Sequence, residues 1–233
     1  MRPGRRFVGI DLGARALHVV TLTDRDPDDD AAPGLRVHDA RVLDPDALDP
    51  LDAIAADATA IAIDAPGEPS RGCHTSDPAL APKFRTARCG EIALGQQARI
   101  WVPWTTPVAA ADAPGWMHVG FATWARCRAQ GAEPLEVYPA GAFRVLAGGT
   151  VPPKSTPVGL RARRDLLARA VTPPPGFAMW SHDGLDATVA ALTAADRVRG
   201  GATAHGHDDP GCDGTAVWLP AGPADGGSTD APG

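Results

Sequence analysis

Phe7-Val8-Gly9-Ile10-Asp11-Leu12-Gly13 is a short apolar run that carries a single carboxylate, with a glycine on either side of it. Such runs, bounded by glycine, read as buried strands. An ionised Asp in a buried strand is costly unless a metal ion, an arginine or a hydrogen-bond donor pairs with it. The simpler alternative is a strand-end Asp that accepts backbone N–H bonds. Far along the chain the arrangement returns: Ala60-Ile61-Ala62-Ile63-Asp64-Ala65-Pro66 is again an apolar run closing on one Asp. Two strands with an acid at the same depth point to a sheet with a carboxylate cluster.

The chain has 233 residues, enough for one sizeable α/β domain. Its net charge of −6 gives no general basic footprint for nucleic acid, so a polyanion would need a local patch or bound cations. Four cysteines, Cys73, Cys89, Cys127 and Cys212, are widely spaced and form no Cys-x-x-Cys pair. That spacing suits a reducing cytosol better than a disulfide frame, and a cytoplasmic protein is expected. The basic start is followed by an apolar run that stops at Asp11, too soon for a signal peptide. No apolar segment is long enough for a membrane span, so no membrane partner is expected.

After Gly13, residues 16–23 are rich in β-branched side chains and return beside the first strand as a hairpin. The Asp28-Asp29-Asp30 run reads as a solvated loop. Residues 35–42 make a third strand. Asp44-Pro45 opens a helix to about Asp57, and a fourth strand covers 59–64. The 65–114 stretch has weak patterning and reads as an insertion. Within it Lys83, Arg85, Arg88 and Arg99 collect positive charge, either a solvated helix face or an anion contact. A helix over 114–130, a fifth strand around Glu136 and helices over 140–147 and 158–171 follow. Glu136 alternates with Leu135 and Val137, so strand periodicity could also turn it to solvent. The last helix starts near Ser181, with Asp183 and Asp186 three apart and therefore on one face. Residues 200–214 read as a loop, 215–219 as a possible edge strand. The expected organisation is one domain over 1–219 and a disordered, Gly/Pro/Ser/Asp-rich tail over 220–233.

Asp11, Asp64, Glu136, Asp183 and Asp186 form an oxygen-only candidate ligand set, which selects hard cations such as Mg²⁺ or Mn²⁺. Two such ions about 4 Å apart can activate water and stabilise the leaving oxygen in phosphodiester cleavage. Strand-Asp, hairpin, helix, strand-Asp, strand-Glu and a helix with Asp-x-x-Asp-Ala come in an order that resembles the RNase H-like (RuvC-like) superfamily. Within it the chain is most similar to the domain-of-unknown-function-429 family of predicted nucleases. The residues that carry the resemblance are Gly9-Ile10-Asp11-Leu12-Gly13, Ile63-Asp64-Ala65-Pro66, Glu136-Val137-Tyr138-Pro139-Ala140, Lys154 and Asp183-Gly184-Leu185-Asp186-Ala187.

The resemblance implies an RNase H-like mixed α/β sheet of five strands, the first three antiparallel, flanked by helices. It implies a nuclease that uses two Mg²⁺ or Mn²⁺ ions on DNA or RNA. Asp11 would bridge the ions and Asp186 would be the late acid, with Asp64, Glu136 or Asp183 filling the rest. Asp11, Asp64, Glu136 and Asp186 are thus the expected catalytic acids, and Arg85, Arg88 and Lys154 the expected substrate contacts. One departure is Asp64, where RNase H proper usually has a longer Glu.

Gly-Ile-Asp-Leu-Gly also opens the phosphate hairpin of actin-like ATPases and sugar kinases, but those need a second phosphate loop that this chain lacks. A catalytically inactive module that keeps the fold for binding is the other rival. A zinc site from His205, His207 and Cys212, with Cys73 and His74, has irregular spacing within a Gly-rich loop.

Overall fold

A computed structural model describes residues 4–13, 15–24, 34–206 and 212–223. The Asp28-Asp29-Asp30 run, Ala14 of the first hairpin, His207 and the 224–233 part of the tail lie outside the described residues. In chain order the first half contains β1 (Arg6–Leu12), β2 (Leu17–Asp24), β3 (Leu35–Leu43), α1 (Pro50–Asp57), β4 (Ala60–Asp64) and α2 (Cys89–Gln97). The second half adds α3 (Gly115–Ala129), β5 (Leu135–Val137), α4 (Pro139–Leu146), α5 (Pro157–Ala170), α6 (His182–Arg199), β6 (Thr203–His205) and β7 (Val217–Leu219).

The strands form one mixed sheet in the order β3-β2-β1-β4-β5-β7-β6. β1, β2 and β3 are antiparallel neighbours, whereas β4, β5 and β7 run parallel to β1. The sheet therefore has seven strands, correcting the expected five and the strand order that goes with five. The additions are β7, which extends the parallel half, and β6, which pairs antiparallel on its outer side. β6 lies where a loop was expected, because its three residues are too few to show a period of two.

Alternation along the strands sorts side chains between two cores. Val8 and Ile10 of β1, with Ile61 and Ile63 of β4, pack against Leu51 and Ala55 of α1 and Trp124 and Cys127 of α3. Phe7, Ala62 of β4 and Val137 of β5 face the other way, towards α4, α5 and α6. Residues in register with Phe7 and Ala62, namely Gly9, Asp11 and Asp64, share that second face.

α6 is the central helix: Gly184 through Ala195 are all buried, since the sheet covers one side and α4 and α5 the other. Ser181 caps its start by accepting from the Gly184 amide, and Gly200, at φ +82, ends it. Its small residues let it press on β1 at Gly9, where a β-carbon would stand 2.0 Å from the Ala187 carbonyl oxygen. α1 starts at Pro50 rather than at Asp44-Pro45. Pro50 suits only a first turn, and the Asp44 carboxylate instead accepts from the Asp46 amide in a separate turn. Cys89 and Cys212, expected to be unpaired, are joined as a disulfide with their Cα atoms 5.9 Å apart. Their 123-residue separation hid the pairing. Among the described residues, no helix is long and apolar enough to cross a membrane.

Candidate metal centre

Asp11 and Asp64 are register partners on the parallel strands β1 and β4, so both carboxylates emerge side by side on the α6 face. Close approach of α6 at Gly9 brings the first turns of that helix over the same end of the sheet. Asp186, 2% exposed, comes down onto the pair, and Asp183 sits one turn earlier at the rim. Four of the five expected acids therefore gather in one region.

The electrostatics of the cluster follow from that crowding. Burial, reinforced by the charges of Asp186 and Asp183, pushes the Asp11 carboxyl up to about 7. Asp64 is driven well above the usual carboxylate range by burial and by Asp11 and Asp186, and it shares a hydrogen bond with Asp11. Burial also raises Asp186, with Lys154 opposing. Acids that repel each other in a desolvated pocket must hold protons, meet a cation, or both.

One cation is already there. Lys154 Nζ donates to Asp186 Oδ2 at 2.7 Å, whereas Asp186 Oδ1 is buried without any hydrogen-bond partner. The lysine is delivered by the turn before α5. Arg163 donates to the Pro152 carbonyl at 2.9 Å, and Gly159 lets the Pro153 carbonyl lie where a β-carbon would be. Among the described residues, no three of these acids bring their oxygens all within 4.8 Å of one another. The donor set is nonetheless all oxygen and partly unsatisfied, which fits a hard divalent cation. Asp11, Asp64 and Asp186 are the side chains that would hold it.

Sequence reasoning missed three neighbours. His18 is the cross-strand partner of Asp11 on β2, and its Nε2 lies 3.7 Å from Asp183 Oδ2. His182 Nδ1 stands 2.6 Å from the other Asp183 oxygen. Tyr138, at the end of β5, keeps its proton more firmly than usual through burial and the charge of Asp64. A period-two count back from Asp11 across the hairpin would have found His18. Tyr138 lies within the Glu136-Val137-Tyr138-Pro139-Ala140 motif, but nothing in that motif marks it as a neighbour of the acids.

Glu136 is not in the cluster. Its neighbours Leu135 and Val137 face α6, so Glu136 points to the other side of the sheet, where Arg88 holds it in a two-pronged ion pair. Arg88 also donates to Glu91 and to Thr106 Oγ1, and its side chain is 2% exposed. Arg88 is therefore a structural cation with no surface to offer a substrate. Arg85 donates to the Leu80 carbonyl, and Lys83 lies over the Phe84 ring at 4.5 Å, so the expected basic cluster is dispersed. Of the three expected substrate contacts, only Lys154 reaches the acids.

A family model described as "Protein of unknown function (DUF429)" matches residues 119–210, a stretch shorter than half of the chain that contains Lys154, Asp183 and Asp186. The resemblance to that family read from the sequence is thus supported. Among curated proteins none matches the chain. Two solved structures are similar in trace, both from Thermus thermophilus. One is RuvC, 14% identical with a TM-score of 0.42, covering 83% of this chain and 95% of its own. The other is RuvC in complex with Holliday junction substrate, 13% identical with a TM-score of 0.41, covering 84% and 96%.

Proposed function

We propose that this protein is a divalent-metal-dependent nuclease that hydrolyses phosphodiester bonds of nucleic acid at the Asp11, Asp64 and Asp186 cluster. The observation that carries the reading is the buried Asp186 Oδ1 with no partner, beside two strand acids whose charges disfavour one another. Mg²⁺ or Mn²⁺ bound here would supply a water of lowered pKa and charge to offset a phosphate, and two ions would do so on both sides of the scissile bond. Asp11 feels the charges of Asp186 and Asp183 and shares a hydrogen bond with Asp64, which supports a central share for it in holding the metal. Lys154, half exposed and bonded to Asp186, would be free to donate to a phosphate oxygen if that carboxylate were engaged by a metal. Tyr138 stays protonated and can donate a hydrogen bond at the same rim.

The test is a cleavage screen of labelled DNA and RNA, single-stranded, duplex and branched, with and without Mn²⁺. Cleavage that needs the metal and is abolished in Asp11→Asn supports the reading; undiminished cleavage in that variant argues against it. The Lys154–Asp186 contact favours one alternative, a metal-free binding module in which the lysine alone neutralises the acids. Nucleic-acid binding that is indifferent to Mn²⁺ and unaccompanied by cleavage would select that alternative.

A further inference from the structure

A second cluster lies beside the Arg88 network, away from the acids on the α6 face. Cys89 opens α2, Cys212 comes from the loop before β7, and Cys73-His74 come from the irregular stretch after β4. His74 Nε2 is 3.6 Å from Cys212 Sγ. The ligand atoms of His74, Cys89 and Cys212 all lie within 4.8 Å of one another, as do those of Cys73, Cys89 and Asp213. We propose that, with the cysteines reduced, this is a structural zinc site built on His74, Cys89 and Cys212, its fourth ligand coming from Cys73 or Asp213.

A disulfide between Cys89 and Cys212 explains neither the imidazole against the sulfur nor the state of Asp213. That residue is 7% exposed, and its Oδ2 is buried with no hydrogen-bond partner, while Oδ1 accepts from Thr215. Zinc accounts for the first, and with Asp213 as fourth ligand for the second as well. With Zn–S about 2.3 Å and Zn–N about 2.0 Å, tetrahedral geometry sets sulfur and nitrogen ligands about 3.6 Å apart. The surroundings also favour thiolate. Cys89 sits at the start of α2, and its sulfur accepts from the Asp213 amide at 3.3 Å. A tight turn at Gly72, φ +68, fixed by Thr75 bonding back to the Gly72 carbonyl, presents Cys73 and His74.

The cluster opens onto a cavity of about 540 Å³, which leaves room for the side chains to adjust. The chemistry balances simply. Two equivalents of a thiol reduce the Cys89–Cys212 bond to two thiols and leave as their own disulfide. Zn²⁺ then displaces the thiol protons to solvent. What the ion would do is pin the irregular stretch between β4 and α2, where Leu80 and Ala87 join Ile92 of α2 in a small core of their own. His205 hydrogen-bonds Gln97 and takes no part.

The experiment is purification of the full chain in a thiol reductant, followed by elemental analysis and by Co²⁺ substitution. Stoichiometric zinc is expected, with a thiolate-to-cobalt charge-transfer band and the d–d bands of a tetrahedral ion. His74→Ala and Cys212→Ser should lose the zinc, and comparison of Cys73→Ser with Asp213→Asn identifies the fourth ligand. Asp11→Asn and Asp186→Asn should keep it, which separates this site from the acidic one. Circular dichroism checks that each variant is folded; should Cys212→Ser not fold, His74→Ala with the cobalt spectrum decides alone. Absence of zinc from folded protein whose Cys89 and Cys212 are shown by thiol titration to be reduced overturns the proposal. So does zinc that survives His74→Ala with an unchanged cobalt spectrum.

Discussion

Asp11 ties the acid cluster to stability in a way that pH can expose. Its carboxyl titrates near 3.8 in an unfolded chain and near 7 in the metal-free fold. Between those values the folded chain keeps a proton that the unfolded chain releases, so stability is fullest below the lower pH and declines as pH rises through the upper one. Asp11→Asn removes that decline. It should stabilise the metal-free protein at pH 8 by on the order of 2–4 kcal/mol and change little at pH 4, as read by chemical denaturation. A variant with the same pH profile as the wild type would show that the crowding is relieved some other way. Glu136 gives the contrasting case. Glu136→Ala removes one of the two carboxylates that hold the buried Arg88 guanidinium, leaving Glu91 and Thr106, and should cost about 2–3 kcal/mol in urea denaturation. Mn²⁺ binding by the folded fraction should remain unchanged, because Glu136 faces away from the acids. That separation could be read from alternation with Leu135 and Val137. What alternation could not say was that the far side is buried and that its partner, Arg88, stands 48 residues upstream.

At the level of elements, the contact between β1 and α6 sets the geometry of the site. Gly9 is the only residue type that lets the helix backbone come so close, and Asp186 reaches Asp11 because of it. Gly9→Ala should destabilise the fold by about 3 kcal/mol, since the added methyl meets backbone and not a movable side chain. The same variant should bind Mn²⁺ more weakly. Full Mn²⁺ affinity in a folded Gly9→Ala protein would mean the helix does not position the late acid. The strands and helices with strong periodicity, β1, β2, β4, α3, α5 and α6, could be placed from sequence because each buries a face large enough to leave a pattern. α2 could not. Its buried residues include Glu91, Gly90 and Gly95, so a polar network rather than an apolar stripe holds it. β6 and β7 are too short to show a period; the 215–219 stretch reads as a possible edge strand, whereas β7 lies inside the sheet and β6 forms the edge.

For the whole molecule, the issue is how a chain of net charge −6 meets a polyanion. Several of its cations are engaged elsewhere: Arg126 with Asp49 and Asp52, Arg199 with Asp24, Arg88 in the core. Bound divalent ions and Lys154 would therefore carry the local attraction, and nucleic-acid binding should be far weaker in chelator than in Mn²⁺. The two halves of the acid site, Asp11 with Asp64 and Lys154 with Asp186, are separated by 90 residues from Asp64 to Lys154 and meet only because the sheet and α6 close on one another. The central claim is that this meeting makes a divalent-metal site. Calorimetric titration of Mn²⁺ into the metal-free wild type and into Asp186→Asn at neutral pH tests it most directly. Saturable binding by the wild type, weakened about tenfold or more in the variant, is the predicted result. Equal affinity in both, or no binding by a folded wild-type protein, would contradict it.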